Sequence, residues 1–268
     1  MGLSGCLDSL FLREHRTYED RIRACAAAGL EAVEFWQWRD KDLDTIERAL
    51  RDAGTALTLF STEPRSPIVD SATHGEFLAG VRESAAVAKR LKAFGLCVLV
   101  DDRGLGAAPR EPRAIRRATQ HAAIVAALKR AAPIAADAGI VLLVEPLNSV
   151  LDHKGYFLDR TPEGLDIIEE VDQPAVRLLY DMYHSKMMGE DFAEILAGRG
   201  RLVGHVHVAD VPGRHEPGSG TVDWAAGMAA LAAEGYRGRV GLEFWPTGGT
   251  VEALKRTRET LSVGRNSA

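Results

Sequence analysis

Residues 141–184, VLLVEPLNSVLDHKGYFLDRTPEGLDIIEEVDQPAVRLLYDMYH, set two short apolar runs around one amphipathic run. The first apolar run, Val141–Val144, ends on Glu145, and the second, Val176–Tyr180, ends on Asp181. Runs of this length bounded by turn residues read as buried strands. Between them, Pro162–Val171 reads as a helix. Its start, Thr161-Pro162-Glu163, joins a capping residue, a proline suited to the first turn and an acid that complements the helix dipole. Strand, helix and buried strand make a parallel βαβ unit with a right-handed crossover. Each of its strands carries a carboxylate at its C-terminal end.

The same rhythm runs through the whole chain. Strands are expected at Leu3–Leu7, Ala32–Phe35, Ala56–Phe60, Cys97–Val100, Val141–Val144, Val176–Tyr180, Leu202–Val208 and Val240–Glu243. Helices are expected at Tyr18–Ala28, Leu43–Ala53, Gly75–Ala93, Pro112–Ala138, Pro162–Val171, Asp191–Gly198, Trp224–Glu234 and Thr250–Thr260. Gly29, Gly54, Gly95, Gly139 and Gly235 stand where helices would close. Eight βα units in 268 residues predict one α/β domain, a closed (β/α)8 barrel over residues 1–268, with residues 261–268 as a frayed polar tail. An open, doubly wound sheet would usually carry a glycine-rich phosphate loop after its first strand, and Gly2-Leu-Ser-Gly-Cys-Leu does not match that pattern.

Composition narrows the function. A net charge of −5 without a basic stripe argues against nucleic acid as a partner. No apolar run approaches the roughly 20 residues of a membrane span. Three scattered cysteines, Cys6, Cys25 and Cys97, and no basic-then-apolar leader predict a reduced, cytoplasmic protein. The alanine-rich helices suit a homo-oligomer face as well as they suit ordinary barrel packing.

Catalysis in such barrels is built at the C-terminal ends of the strands. Four consecutive expected strands end in Glu145, Asp181, His207 and Glu243. Folding does not require this, because a buried carboxylate costs several kcal/mol unless it is paired or bound to metal. Three carboxylates and an imidazole form a hard, oxygen-rich site suited to Mn²⁺, Mg²⁺ or Co²⁺, with Zn²⁺ less favoured. The structural alternative for any one of them is a salt-bridged strand terminus.

VEPLNSVLDHKGYFLDRTPEG, VRLLYDMYHSKMMGED, GHVHVADVPGRHEPGSGTVDW and GYRGRVGLEFWP together resemble the hydroxypyruvate isomerase group of the xylose-isomerase-like TIM barrels. The resemblance covers about residues 31–246 and is strongest from Glu145 onward. It implies that Glu145 and Glu243 are the acid/base pair and bind metal together with Asp181 and His207. It further implies that His184, Arg214 and Glu34, a polar group at the mouth of strand two, contact substrate. Two positions depart from the pattern. Many hydroxypyruvate isomerases carry glutamine where this chain has His207, whereas related ketose 3-epimerases carry histidine. Lys186 stands where glutamine is frequent.

The chemistry implied is proton transfer next to a carbonyl, through an enediolate, on hydroxypyruvate or a similar short keto acid or keto sugar. Return of the proton to the neighbouring carbon isomerises the substrate; return to the same carbon from the other face epimerises it. A ketose 3-epimerase and a keto-inositol dehydratase are the competing expectations. A substrate carboxylate needs a cation. Arg214 is the first candidate because its guanidinium forks onto carboxylates, and Lys186 is the second. The alternative for Arg214 is an ion pair inside its own loop, to Glu216 or Asp210. Asn148 is expected to brace Glu145. His205 is expected to lie deeper in the barrel, and the segment around His153 to form a lid or a packing turn. Trp36, Trp38 and Trp245 are expected as walls of the site or as packing.

Overall fold

Short parallel strands alternate with helices along the whole chain. The computed structural model describes residues 1–101 and 117–262. The strands are β1 (Leu3–Cys6), β2 (Ala32–Glu34), β3 (Ala56–Leu57), β4 (Leu59–Ser61), β5 (Gly95–Val98), β6 (Val141–Val144), β7 (Val176–Asp181), β8 (Val203–Val208) and β9 (Val240–Leu242). The helices are α1 (Tyr18–Ala27), α2 (Leu43–Ala53), α3 (His74–Leu91), α4 (Arg117–Ala138), α5 (Thr161–Val171), α6 (Met182–Met187), α7 (Phe192–Leu196), α8 (Trp224–Ala233) and α9 (Thr250–Ser262). The sheet order β3-β2-β1-β9-β8-β7-β6-β5-β4 brings the two segments beside Thr58 to its two edges.

These two segments are halves of one strand, and Thr58 closes the ring. Its N–H donates to Val33 O at 2.8 Å on one side, and its carbonyl accepts from Gly95 N at 3.0 Å on the other. The architecture is therefore the expected eight-fold TIM barrel, with every strand parallel to its neighbours.

Local differences from the sequence expectation have physical reasons. The fifth segment, β5, begins at Gly95, two residues earlier than expected. Gly95 is a strand residue: a Cβ there would lie 2.6 Å from Val141 O. Helix α3 instead closes on Lys92 in the left-handed conformation. Helix α5 starts at Thr161, whose N–H is taken by Glu190 Oε1 at 3.0 Å, so the threonine is not its cap. Helix α6 has no counterpart among the expected helices, and Asp181 itself nucleates it. The tail expectation shortens too, since Leu261 is buried at the end of α9. The start expected for α4 at Pro112 and residues 263–268 lie outside the described residues.

The barrel interior has two unlike halves. Leu59, Cys97, Leu143 and Leu179 form an apolar cluster separate from the main core. Opposite them, Glu34, His205 and His207 form a buried polar layer. The layer exists because β9 presents Gly241 to it: a Cβ there would come within 2.4 Å of Glu34 Oε1 and 2.5 Å of the His207 ring. Gly241→Ala is expected to lower stability by about 1–3 kcal/mol, the cost of overpacking. Urea unfolding measures it, and an unchanged midpoint would refute this account of the layer.

Candidate active site

Four strand ends place their polar groups around one point. Glu145 follows β6, Asp181 ends β7, His207 is the penultimate residue of β8, and Glu243 follows β9. Asp181 and His207 are register partners across β7 and β8. All four residues are buried, and one ligand atom from each lies within 4.8 Å of the others. His207 Nδ1 stands between the two glutamates, 3.4 Å from Glu145 Oε1 and 3.4 Å from Glu243 Oε2.

Glu34 sits beneath this cluster rather than at the mouth of the barrel. It is 1% exposed and does not line the cavity. Its Oε2 bonds His205 Nε2 at 3.1 Å, and its Oε1 lies 3.0 Å from His207 Nε2. The carboxylate turns His207 so that Nδ1 faces the acids above, as carboxylates behind metal-binding histidines do. Burial opposes ionisation of Glu34, but His207 and His205 hold its carboxyl down at about 2.

The cluster carries a charge problem. Burial, with Glu145 and Glu243 nearby, pushes Asp181 up to about 7 against the pull of Arg214. Glu243 is buried as well, yet Arg214 and His207 hold it well below the usual carboxylate range. Burial opposes charging of His207, and Glu34 and Glu243 overcome it, so its pKa is raised. His207 Nδ1 is buried without a hydrogen-bond partner. Crowded carboxylates around an unpartnered imidazole nitrogen fit a divalent metal ion, which these four residues could hold.

Above the cluster lies a cavity of about 90 Å³, lined by Glu145, Glu243, His184 and Arg214 among others. Asp181 fixes His184: its Oδ1 accepts from Tyr183 N at 2.7 Å and His184 N at 3.2 Å, which starts α6. His184 Nδ1 accepts from Asn148 N at 3.2 Å, and Asn148 Nδ2 lies 2.7 Å from it. Asn148 thus braces His184, not Glu145. Burial and Arg214 hold His184 well below its ordinary pKa. It is a neutral ring whose proton sits on Nε2, an atom 3.6 Å from Asp181 Oδ2 and without a hydrogen-bond partner, beside the cavity.

The alternative for Arg214, an ion pair within its own loop, is overturned. Its Nη2 bonds Glu243 Oε2 and lies 3.6 Å from Asp181 Oδ2, and its guanidinium stacks over Tyr183 and Trp245. Asp210 and Glu216 hold the loop instead. The Asp210 carboxylate accepts from Val211 N, Gly218 N, Val222 N and Trp224 Nε1 at 2.8–3.1 Å. Glu216 accepts from Thr247 N and Thr247 Oγ1 and pairs with Arg256. Lys186 is not brought to the cavity. Two residues along α6 from His184, it points the other way and is exposed.

Trp36 and Trp245 meet edge to face at 6.2 Å, and Trp36 Nε1 donates to Glu243 Oε1. Trp38 bonds Ser84 and lies outside the cavity lining. In the segment after Asn148, Tyr156 O–H donates to Glu145 O and accepts from Val100 N, while His153 lines the cavity with its ring against His184. Sequence reasoning missed Ser61, Arg65 and Cys97 in the lining. Ser61 and Cys97 obey the strand-end rule. Cys97, whose thiol donates to Glu145 Oε2 at 3.3 Å, was hidden by the two-residue offset of β5.

A family model described as the xylose isomerase-like TIM barrel matches residues 22–265. The chain belongs to this family. It is 31% identical to a 2-oxo-tetronate isomerase of Cupriavidus necator, over 92% of this chain and 94% of that protein. A hydroxypyruvate isomerase of Escherichia coli K12 is 27% identical, over 88% of this chain and 90% of the other. The crystal structure of an AP endonuclease, family 2, from Brucella melitensis superposes with a TM-score of 0.84 at 28% identity, covering 95% of this chain and 97% of that one. The curated relatives are named as isomerases, and this xylose isomerase-like barrel is an enzyme of that class.

Asp210→Ala is expected to cost about 3 kcal/mol or more, because four donors lose one buried acceptor. Urea denaturation measures the loss. A change below about 1 kcal/mol, the worth of a single hydrogen bond, would show that other contacts hold the Arg214 loop.

Proposed function

We propose that the protein isomerises hydroxypyruvate or a similar short 2-keto acid, with Glu145 and Glu243 as its acid/base pair. The placement of these two glutamates on either side of His207 Nδ1, at one cavity wall, carries this reading. One glutamate takes a proton from C3 and the other returns one to C2, while the hydroxyl proton passes from O3 to O2. Hydroxypyruvate becomes 2-hydroxy-3-oxopropanoate with no redox partner. His184 Nε2 donates to a substrate oxygen, and Arg214 holds Glu243 ionised and ready to accept a proton. Glu145, Asp181, His207 and Glu243 would hold a divalent ion, Mn²⁺ or Mg²⁺ before Co²⁺ or Zn²⁺. When bound, such an ion supplies positive charge to the oxygens that become negative.

The size of the cavity supports a short substrate. The cavity is small, about 90 Å³, which favours a three- or four-carbon keto acid over a ketohexose. The names of the two curated relatives point the same way, hydroxypyruvate and 2-oxo-tetronate both being short keto acids. The nuclease activity in the name of the Brucella protein fits less well. A DNA substrate calls for a basic approach, and this chain has a net charge of −5.

In D₂O, the wild-type enzyme is expected to bring deuterium into the carbon next to the carbonyl of hydroxypyruvate, seen by proton NMR. Glu145→Gln and Glu243→Gln should each slow turnover by about a hundredfold or more. Absence of exchange with every short 2-keto acid would sink the reading, and near-normal turnover of either variant would remove that glutamate from it. Added Mn²⁺ should raise the thermal midpoint of the wild type, as any ligand of the folded state does, and should raise that of Asp181→Asn far less. Equal shifts in both proteins would place the ion elsewhere.

A further inference from the structure

We propose that Arg65 is the receptor for the carboxylate of an anionic substrate, and so selects keto acids over neutral keto sugars. Arg65 lies four residues beyond the end of β4 and lines the same cavity as Glu145, Glu243 and His184. Its Nε is buried and has no hydrogen-bond partner. Among the described residues no carboxylate forms an ion pair with it, although the cavity is rich in acids.

Two other cations among the described residues, Arg214 and Lys186, are already engaged or turned away. Arg214 is committed to Glu243 and Asp181, and Lys186 is exposed on the outer side of α6. Arg65 thus offers the cavity a guanidinium that pairs with no carboxylate among the described residues, which suits a substrate carboxylate and gives a neutral keto sugar no such partner.

The segment carrying Arg65 is anchored for this task. Glu63 N donates to Ser84 Oγ on α3, and Glu63 Oε2 accepts from the Trp38 and Arg39 N–H groups at 2.6 and 2.9 Å. Arg65 lines the cavity together with Cys97, whose thiol donates to Glu145 Oε2 at 3.3 Å. A keto acid with its carboxylate on Arg65 directs its reacting carbons toward the two glutamates. A guanidinium holds a carboxylate by paired, charge-assisted hydrogen bonds, which fixes orientation as well as affinity.

The inference rests on the keto-acid reading for the identity of the anion, and binding measurements separate the two. Glycerate, an unreactive analogue of hydroxypyruvate, and neutral dihydroxyacetone are titrated calorimetrically into wild type, Arg65→Met and Arg65→Lys. Arg65→Met is expected to weaken glycerate by about tenfold to a hundredfold, the range for a charge-assisted hydrogen bond, and Arg65→Lys by less. Dihydroxyacetone should bind all three proteins alike. KM for hydroxypyruvate should rise with the glycerate dissociation constant, while kcat changes little. Glycerate binding within twofold of wild type in Arg65→Met would overturn the proposal. So would equal losses for both ligands, or a wild type that binds no glycerate. Arg65-dependent glycerate binding without deuterium exchange into hydroxypyruvate would sink the proposed reaction and leave the carboxylate receptor standing.

Discussion

Three carboxylates and an imidazole with ligand atoms within 4.8 Å of one another, all buried, govern the rest of the structure. Like charges at that distance, away from water, repel strongly, and each must find an opposite charge or take up a proton. Arg214 and His207 supply the opposite charges from the chain itself. The scaffold around them holds these two groups in place. Glu34 lies under His207, Gly241 leaves room for both, and Asp210 shapes the loop from which Arg214 reaches Glu243.

The two halves of the barrel interior divide the work. Leu59, Cys97, Leu143 and Leu179 pack as an apolar wall on one side. Glu34, hydrogen-bonded to His205 and ion-paired with His207, supports the other. Asp181 joins the site to the helix layer. One of its oxygens starts α6 and positions His184, while the other faces Arg214. Asp181 therefore positions a substrate-facing histidine as well as supplying a carboxylate.

Much of this is legible in one dimension. The period of the chain predicts a closed parallel barrel, because only alternating buried strands and amphipathic helices give that spacing. The strand-end rule picks out Glu145, Asp181, His207 and Glu243, since a strand's last residues face the mouth wherever the barrel closes. It fails where register has shifted. Cys97 reads as the start of a strand and is near its end. Arg65 escapes because it lies in a loop, where no periodicity says which way a side chain turns. Glu34 and Lys186 are placed by likeness alone, and their depth and direction depend on neighbours distant in sequence.

The βα order, the parallel barrel and the chemical groups at its strand ends follow from local period and composition, and so are legible in the chain alone. How those groups pair is settled by the folded barrel. Arg214 could have met Glu216 or Asp210 a few residues away, yet it reaches Glu243 and Asp181 from other strands. Pairing depends on distances between elements remote in the chain, and barrel closure sets those distances. The same closure leaves Arg65 facing the cavity without an ion-pair partner among the described residues.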